Sequence, residues 1–104
     1  MARLPTYLIS HGGGPWPWLP QMRQMLRNLE TSLARMPEEI GEVPKAVLMI
    51  AGHWEDASFA VMPAARPGMV HDYGGVPPET YRIVYPAPGA PELARRTAGR
   101  AARL

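Results

Sequence analysis

The sequence contains no cysteine. Disulfides and thiolate metal sites are therefore excluded, and any bound metal must rest on His, Asp or Glu. Long apolar runs are missing too: none approaches the roughly 20 residues of a membrane-spanning helix. The apolar stretch after Arg3 is cut by Pro5 and His11, which makes it too short for a secretory signal. A soluble, cytoplasmic chain is the expectation. Charge is sparse and nearly balanced, with a net +2 over 104 residues. The basic excess gathers at Arg95, Arg96, Arg100 and Arg103, without the interleaved aromatics of a nucleic-acid surface, and reads as a solvated helix face.

Proline and glycine, by contrast, are plentiful: 13 and 10 residues, clustered at 12–20, 63–78 and 86–91. With three tryptophans and so few charges, these clusters read as ordered loops of the kind that build sites. Between them lie two apolar runs, Tyr7 to Ser10 and Ala46 to Ala51, each a candidate strand. The second is apolar at every position, as suits a central parallel strand. From Trp18 or Leu19, with Pro20 in the first turn, a helix is expected. Trp18, Met22, Met25, Leu26, Leu29, Leu33 and Met36 trace its apolar face, and Pro37 should end it. Strand, helix and strand make a βαβ unit with a right-handed crossover. Ser58 to Met62 is a further short strand candidate, and Tyr81 to Tyr85 a brief extended piece. Pro91-Glu92-Leu93 should open a second helix that is still running at Leu104. The expected fold class is α/β: a mostly parallel sheet flanked by helices, with residues 1–104 the amino-terminal part of a larger single domain. So narrow a sheet exposes edges through which copies of the chain would associate.

The chemistry sits where the two apolar runs end. Ser10-His11-Gly12-Gly13-Gly14 follows the first and Gly52-His53-Trp54-Glu55 the second. Ligands of open α/β sheets collect at the carboxyl ends of the strands. Parallel neighbours would bring His11 and His53 to one rim, where two neutral imidazoles can share a divalent ion such as iron or zinc. A non-haem iron centre wants a third ligand, often a carboxylate. Glu55 would share the face of His53 if the backbone stays extended, as a ligand or as a partner that orients an imidazole. His71 and Asp72, in a glycine-flanked loop, are weaker candidates. The competing motif readings lack essential parts. His11 to Gly14 matches the oxyanion-hole run of lipases and esterases, but Ser10, Ser32 and Ser58 are the serines and none lies in a Gly-x-Ser-x-Gly elbow. His53-Trp54-Glu55 matches the His-x-Glu of zinc deaminases without their paired cysteines. The glycine run has neither phosphate-loop pattern.

Several stretches, in order, carry a resemblance: Ile9-Ser10-His11-Gly12, Pro44-Lys45-Ala46 to Ile50, Gly52-His53-Trp54-Glu55, Asp72 to Tyr81, and Tyr85 to Ala94. Together they resemble the amino-terminal part of the class III extradiol ring-cleavage dioxygenases, in the 4,5-DOPA dioxygenase-like branch. The resemblance implies an α/β fold holding iron(II), or zinc(II) in some isolated proteins, with His11 and His53 as the first two metal ligands. It implies a catechol and dioxygen as substrates, and Trp54, Tyr73 and residues 74–78 as pocket wall or scaffold. Where the family often reads Ser-His-Gly-Ser-Pro, this chain has Ser10-His11-Gly12-Gly13-Gly14-Pro15. The family's third ligand and its acid–base histidine fall beyond the stretch matched here. Alone, the chain is expected to bind metal weakly and to turn over no catechol.

Overall fold

The computed structural model describes residues 3–102. Among the described residues there are three helices, α1 (Pro20–Met25), α2 (Arg27–Ile40) and α3 (Pro91–Ala101), with short 3₁₀ segments at Trp16–Trp18 and Pro78–Arg82. Among the described residues there is no strand, and the expected α/β parallel sheet is overturned. The physical reason is pairing. A strand exists only through a hydrogen-bonded neighbour, and the main chain of Val47–Ile50 makes no main-chain hydrogen bond among the described residues. Apolarity says what a segment would bury, not that a partner is at hand. Tyr7 to Ser10, Ala46 to Ala51 and Ser58 to Met62 are all irregular. Among the described residues no helix is long and apolar enough to cross a membrane.

The chain divides into two units, one of Met1–Lys45 with His71–Ile83, the other of Ala46–Val70 with Val84–Leu104. In the first, Pro15-Trp16-Pro17-Trp18 winds into a 3₁₀ turn closed by Trp18 N–H to the Pro15 carbonyl at 2.9 Å and Leu19 N–H to the Trp16 carbonyl at 3.0 Å. Trp16 is buried, 4% exposed, and is the core of the unit. Pro20 then opens α1 at its first position, as expected, since a residue there has no intrahelical use for an N–H. The apolar face follows the expected spacing: Met22, Leu26, Leu29, Leu33 and Met36 are all half-buried. Trp18 and Met25, counted on that face, are instead exposed at 58% and 83%.

The helix does not stop at Pro37. It runs on to Ile40, and Gly41 closes it at φ 79°, its N–H donating to the Pro37 carbonyl at 3.1 Å. Proline removes one amide donor, and so close to the carboxyl end the loss is local. Between α1 and α2 the helix breaks at Leu26 without proline or glycine nearby. Arg23 spans the break, with Nη2 2.6 Å and Nε 3.0 Å from Glu30 Oε1. Donation from Arg23 holds the Glu30 carboxyl below its ordinary value.

The second segment of this unit is a compact aromatic turn. Pro77-Pro78 enters the 3₁₀ segment, and the Thr80 hydroxyl donates to the Pro77 carbonyl at 2.7 Å. Tyr81 is therefore in a turn rather than in the expected extended piece, which begins only at Ile83. Tyr73 and Tyr81 lie with ring centres 5.2 Å apart, and His71 meets Tyr73 edge-on at 5.8 Å.

In the second unit α3 starts at Pro91, as the sequence suggests, and buries Ala94. Arg95, Arg96 and Arg100 lie on it; Arg103 and Leu104, with the question of how far the helix runs, fall outside the described residues. Ser58, Phe59 and Val61 line a shallow groove with Ala94, Ala98 and Ala101 of this helix. Gly89 donates to the Ala65 carbonyl at 2.9 Å, and a Cβ there would collide with the main chain of Ala64.

Two outcomes test this description. Gly41→Ala meets no atom within 4 Å, so its cost comes from backbone alone, about 1–2 kcal/mol; thermal unfolding followed by circular dichroism should show α2 destabilised by that amount. Glu30 has a lowered carboxyl pKa, so its support is complete above the ordinary carboxylate range and fades as pH falls through the lowered value. The helicity difference between the native chain and Glu30→Gln should thus be present at pH 7 in low salt and vanish in acid, below the lowered carboxyl value.

Candidate functional site

His11 stands at the entrance of a glycine turn. Gly12 at φ 78° and Gly14 at φ 50° take backbone conformations that L side chains rarely adopt. The turn swings the chain so that the Trp16 indole N–H donates to the His11 carbonyl at 2.7 Å. Gly12 faces that same indole. A Cβ on Gly12 would stand 2.6 Å from Trp16 Nε1, 2.7 Å from Cδ1 and 3.1 Å from Leu26 Cδ1. Glycine is required here twice, by dihedral angle and by space. His11 is exposed, and its backbone is clamped to the buried Trp16.

Tyr73 is brought to this loop. Its Cβ lies 3.8 Å from where a Gly14 Cβ would be. Its hydroxyl donates to the Thr80 carbonyl, and its own carbonyl accepts from the Tyr81 hydroxyl at 3.1 Å. The phenol is thus tied to the Thr80 carbonyl rather than left free. His71 Nε2 lies 2.9 Å from the Ile83 carbonyl. A carbonyl only accepts, so Nε2 carries the hydrogen, and that nitrogen is committed to holding the turn. Asp72 between them is exposed.

His53, Trp54 and Glu55 belong to the second unit. Gly52 and His53 form a turn closed by Trp54 N–H to the Ala51 carbonyl at 3.4 Å. Trp54 and Glu55, which follow the turn, are irregular. Trp54 is 62% exposed, and Glu55 is exposed as well. Asp56 turns inward on its own backbone, accepting from Ala57 N–H at 2.7 Å.

Among the described residues, neither unit gathers three His, Asp or Glu side chains into a set able to hold a metal. The described residues by themselves do not complete an iron or zinc centre. Sequence reasoning overlooked Trp16 and Thr80. The signal for Trp16 was present: an indole four residues after a glycine, in a segment too proline-rich to leave its N–H to a helix.

The curated proteins to which this chain is similar are dioxygenases. A fungal relative from Hapsidospora irregularis, named dioxygenase tasH, is 35% identical over 102 residues, which is 94% of this chain and 32% of the relative. The 4,5-DOPA dioxygenase extradiol of Escherichia coli is 32% identical over 97 residues, covering 90% of this chain and 32% of that protein. The protein of the same name from Beta vulgaris is 33% identical over 91 residues, again with 32% of its length covered. The chain thus spans about a third of the length of the curated relatives it matches. No family model matches the chain, and no solved structure matches it. The resemblance read from the ordered motifs is borne out, and it runs through nearly the whole chain.

The clamp on His11 is directly testable. Gly12→Ala should displace the indole, destabilise the first unit by more than about 1 kcal/mol and red-shift the tryptophan fluorescence. An unchanged emission spectrum with unchanged thermal stability would contradict the geometry described.

Proposed function

We propose that this chain supplies two imidazole ligands, His11 and His53, to the iron(II) or zinc(II) centre of a dioxygenase that opens the aromatic ring of a catechol next to its diol. The observation that carries the reading is the similarity to dioxygenases, at 32–35% identity over nine-tenths or more of the chain in the fungal and bacterial relatives. Imidazole suits both metals, and each histidine sits where an apolar segment meets glycine. The glycine turn after His11 supports the assignment physically, because it fixes the histidine's backbone while leaving the residue exposed. Tyr73, packed beside that turn, has the place of a pocket wall for a flat aromatic substrate. Trp54 serves as a second wall, and Glu55 and Asp72 as groups that orient an imidazole.

A second reading, of another class, is a non-catalytic divalent-metal-binding chain. It is favoured by the absence, among the described residues of either unit, of a third donor gathered with the histidines. One experiment addresses both. Zinc(II) and iron(II) are titrated into the chain, and catechol ring cleavage under air is followed in the near ultraviolet. The expected result is weak binding that falls roughly tenfold or more in His11→Ala and in His53→Ala, since even ligand-orienting groups are worth that much. No ring cleavage should occur without further donors. Binding unaffected by both substitutions would remove the ligand assignment. Ring cleavage by the 104-residue chain with iron(II) would show that two imidazoles are not its whole contribution.

A further inference from the structure

Of the three tryptophans, Trp18 and Trp54 are 58% and 62% exposed, whereas Trp16 is 4% exposed. Burial removes the Trp16 indole N–H from water, and the His11 carbonyl accepts it at 2.7 Å. The same ring lies against Gly12, where an added Cβ would stand 2.6 Å from Nε1 and 2.7 Å from Cδ1. The peptide between His11 and Gly12 is therefore held by a directional bond at its carbonyl and by close packing at the residue that follows. With that peptide fixed, the place of the His11 imidazole is set by χ1 and χ2 alone. A side chain whose main chain is ordered in advance gives up less freedom when a ligand takes it.

Taking His11 as a metal ligand, as proposed above, we infer that Trp16 is its positioning residue: the indole N–H fixes the main chain of residue 11, and the imidazole holds a divalent ion more tightly for it. Trp16 acts through the His11 carbonyl and not through the ring. Linkage makes the effect reciprocal. If the closed clamp favours the ion by some factor, the ion favours the closed clamp by the same factor. Groups that orient a ligand are worth tenfold or more in metal affinity, and about tenfold is expected here.

The test is a zinc(II) titration of the whole chain, with affinity from calorimetry and exchange of the indole N–H groups from nuclear magnetic resonance. Trp16→Phe keeps an aromatic ring beside Gly12 and removes the donor. With the helical circular dichroism of the native chain retained, it should bind zinc(II) about tenfold more weakly. In the native chain, saturating zinc(II) should slow exchange of the Trp16 indole N–H by a similar factor, more than it slows the amides of α2, and His11→Ala should abolish that slowing. A role in folding alone would not produce this difference. Should Trp16→Phe lose the helical signal, the exchange measurement on the native chain decides alone. Indole exchange that zinc(II) leaves unchanged, or slows no more than the amides of α2, overturns the inference. So does full affinity in a folded Trp16→Phe chain; if His11→Ala weakens binding in the same titration, His11 stands as a ligand without its positioning residue. Affinity unchanged in His11→Ala removes the ligand reading itself, and the inference with it.

Discussion

The indole N–H of Trp16 donating to the His11 carbonyl is the contact on which the first unit depends. A buried indole must find an acceptor, and the carbonyl it finds belongs to the residue of greatest chemical interest. For that to happen, the chain between them must double back within a few residues. Gly12 and Gly14 provide the left-handed turns, and Pro15 and Pro17 stiffen the 3₁₀ segment that carries the ring. Leu26 closes the pocket from the helix break. Sequence, turn geometry, packing and the placement of His11 are here one chain of cause.

The second unit has no such node. Its buried side chain is Ala94, and its histidine stands in an exposed turn after an exposed apolar segment. The contrast is physical. A tryptophan buries a large area and brings a directional bond, whereas an alanine brings little of either. The sulfurs of Met62 and Met69 accept main-chain N–H groups from Ala64 and Tyr85, weak bonds where a sheet would have offered carbonyls.

Local features were legible in the sequence. Pro20 and Pro91 at the first positions of α1 and α3 follow from the missing amide, and the half-buried stripe from Met22 to Met36 follows from helical periodicity. Non-local features were not. The run Ala46 to Ala51 reads as a central strand by every local criterion, yet a ladder is a relation between segments and leaves no trace in one of them. Pro37 misleads for a related reason: its local cost is fixed, but whether a helix bears it depends on how few turns remain before Gly41. At the site, His11 and its glycines announced a turn. The role of Trp16 needed the fold, because nothing in Trp16-Pro17-Trp18 says which indole is buried. The dioxygenase kinship was legible in the order of the motifs rather than in any one of them, and the relatives bear it out over about a third of their length.

The central claim is that this chain holds His11 through a clamped glycine turn, with no sheet among the described residues. Residue-resolved amide exchange on the chain, diluted until it sediments as a single copy, tests this most directly. Protection should concentrate in α2 and α3, while the amides of Val47–Ile50 exchange at nearly unprotected rates. Strong protection at Val47–Ile50 in the dilute single chain would mean that these amides are paired within it, and would contradict the account.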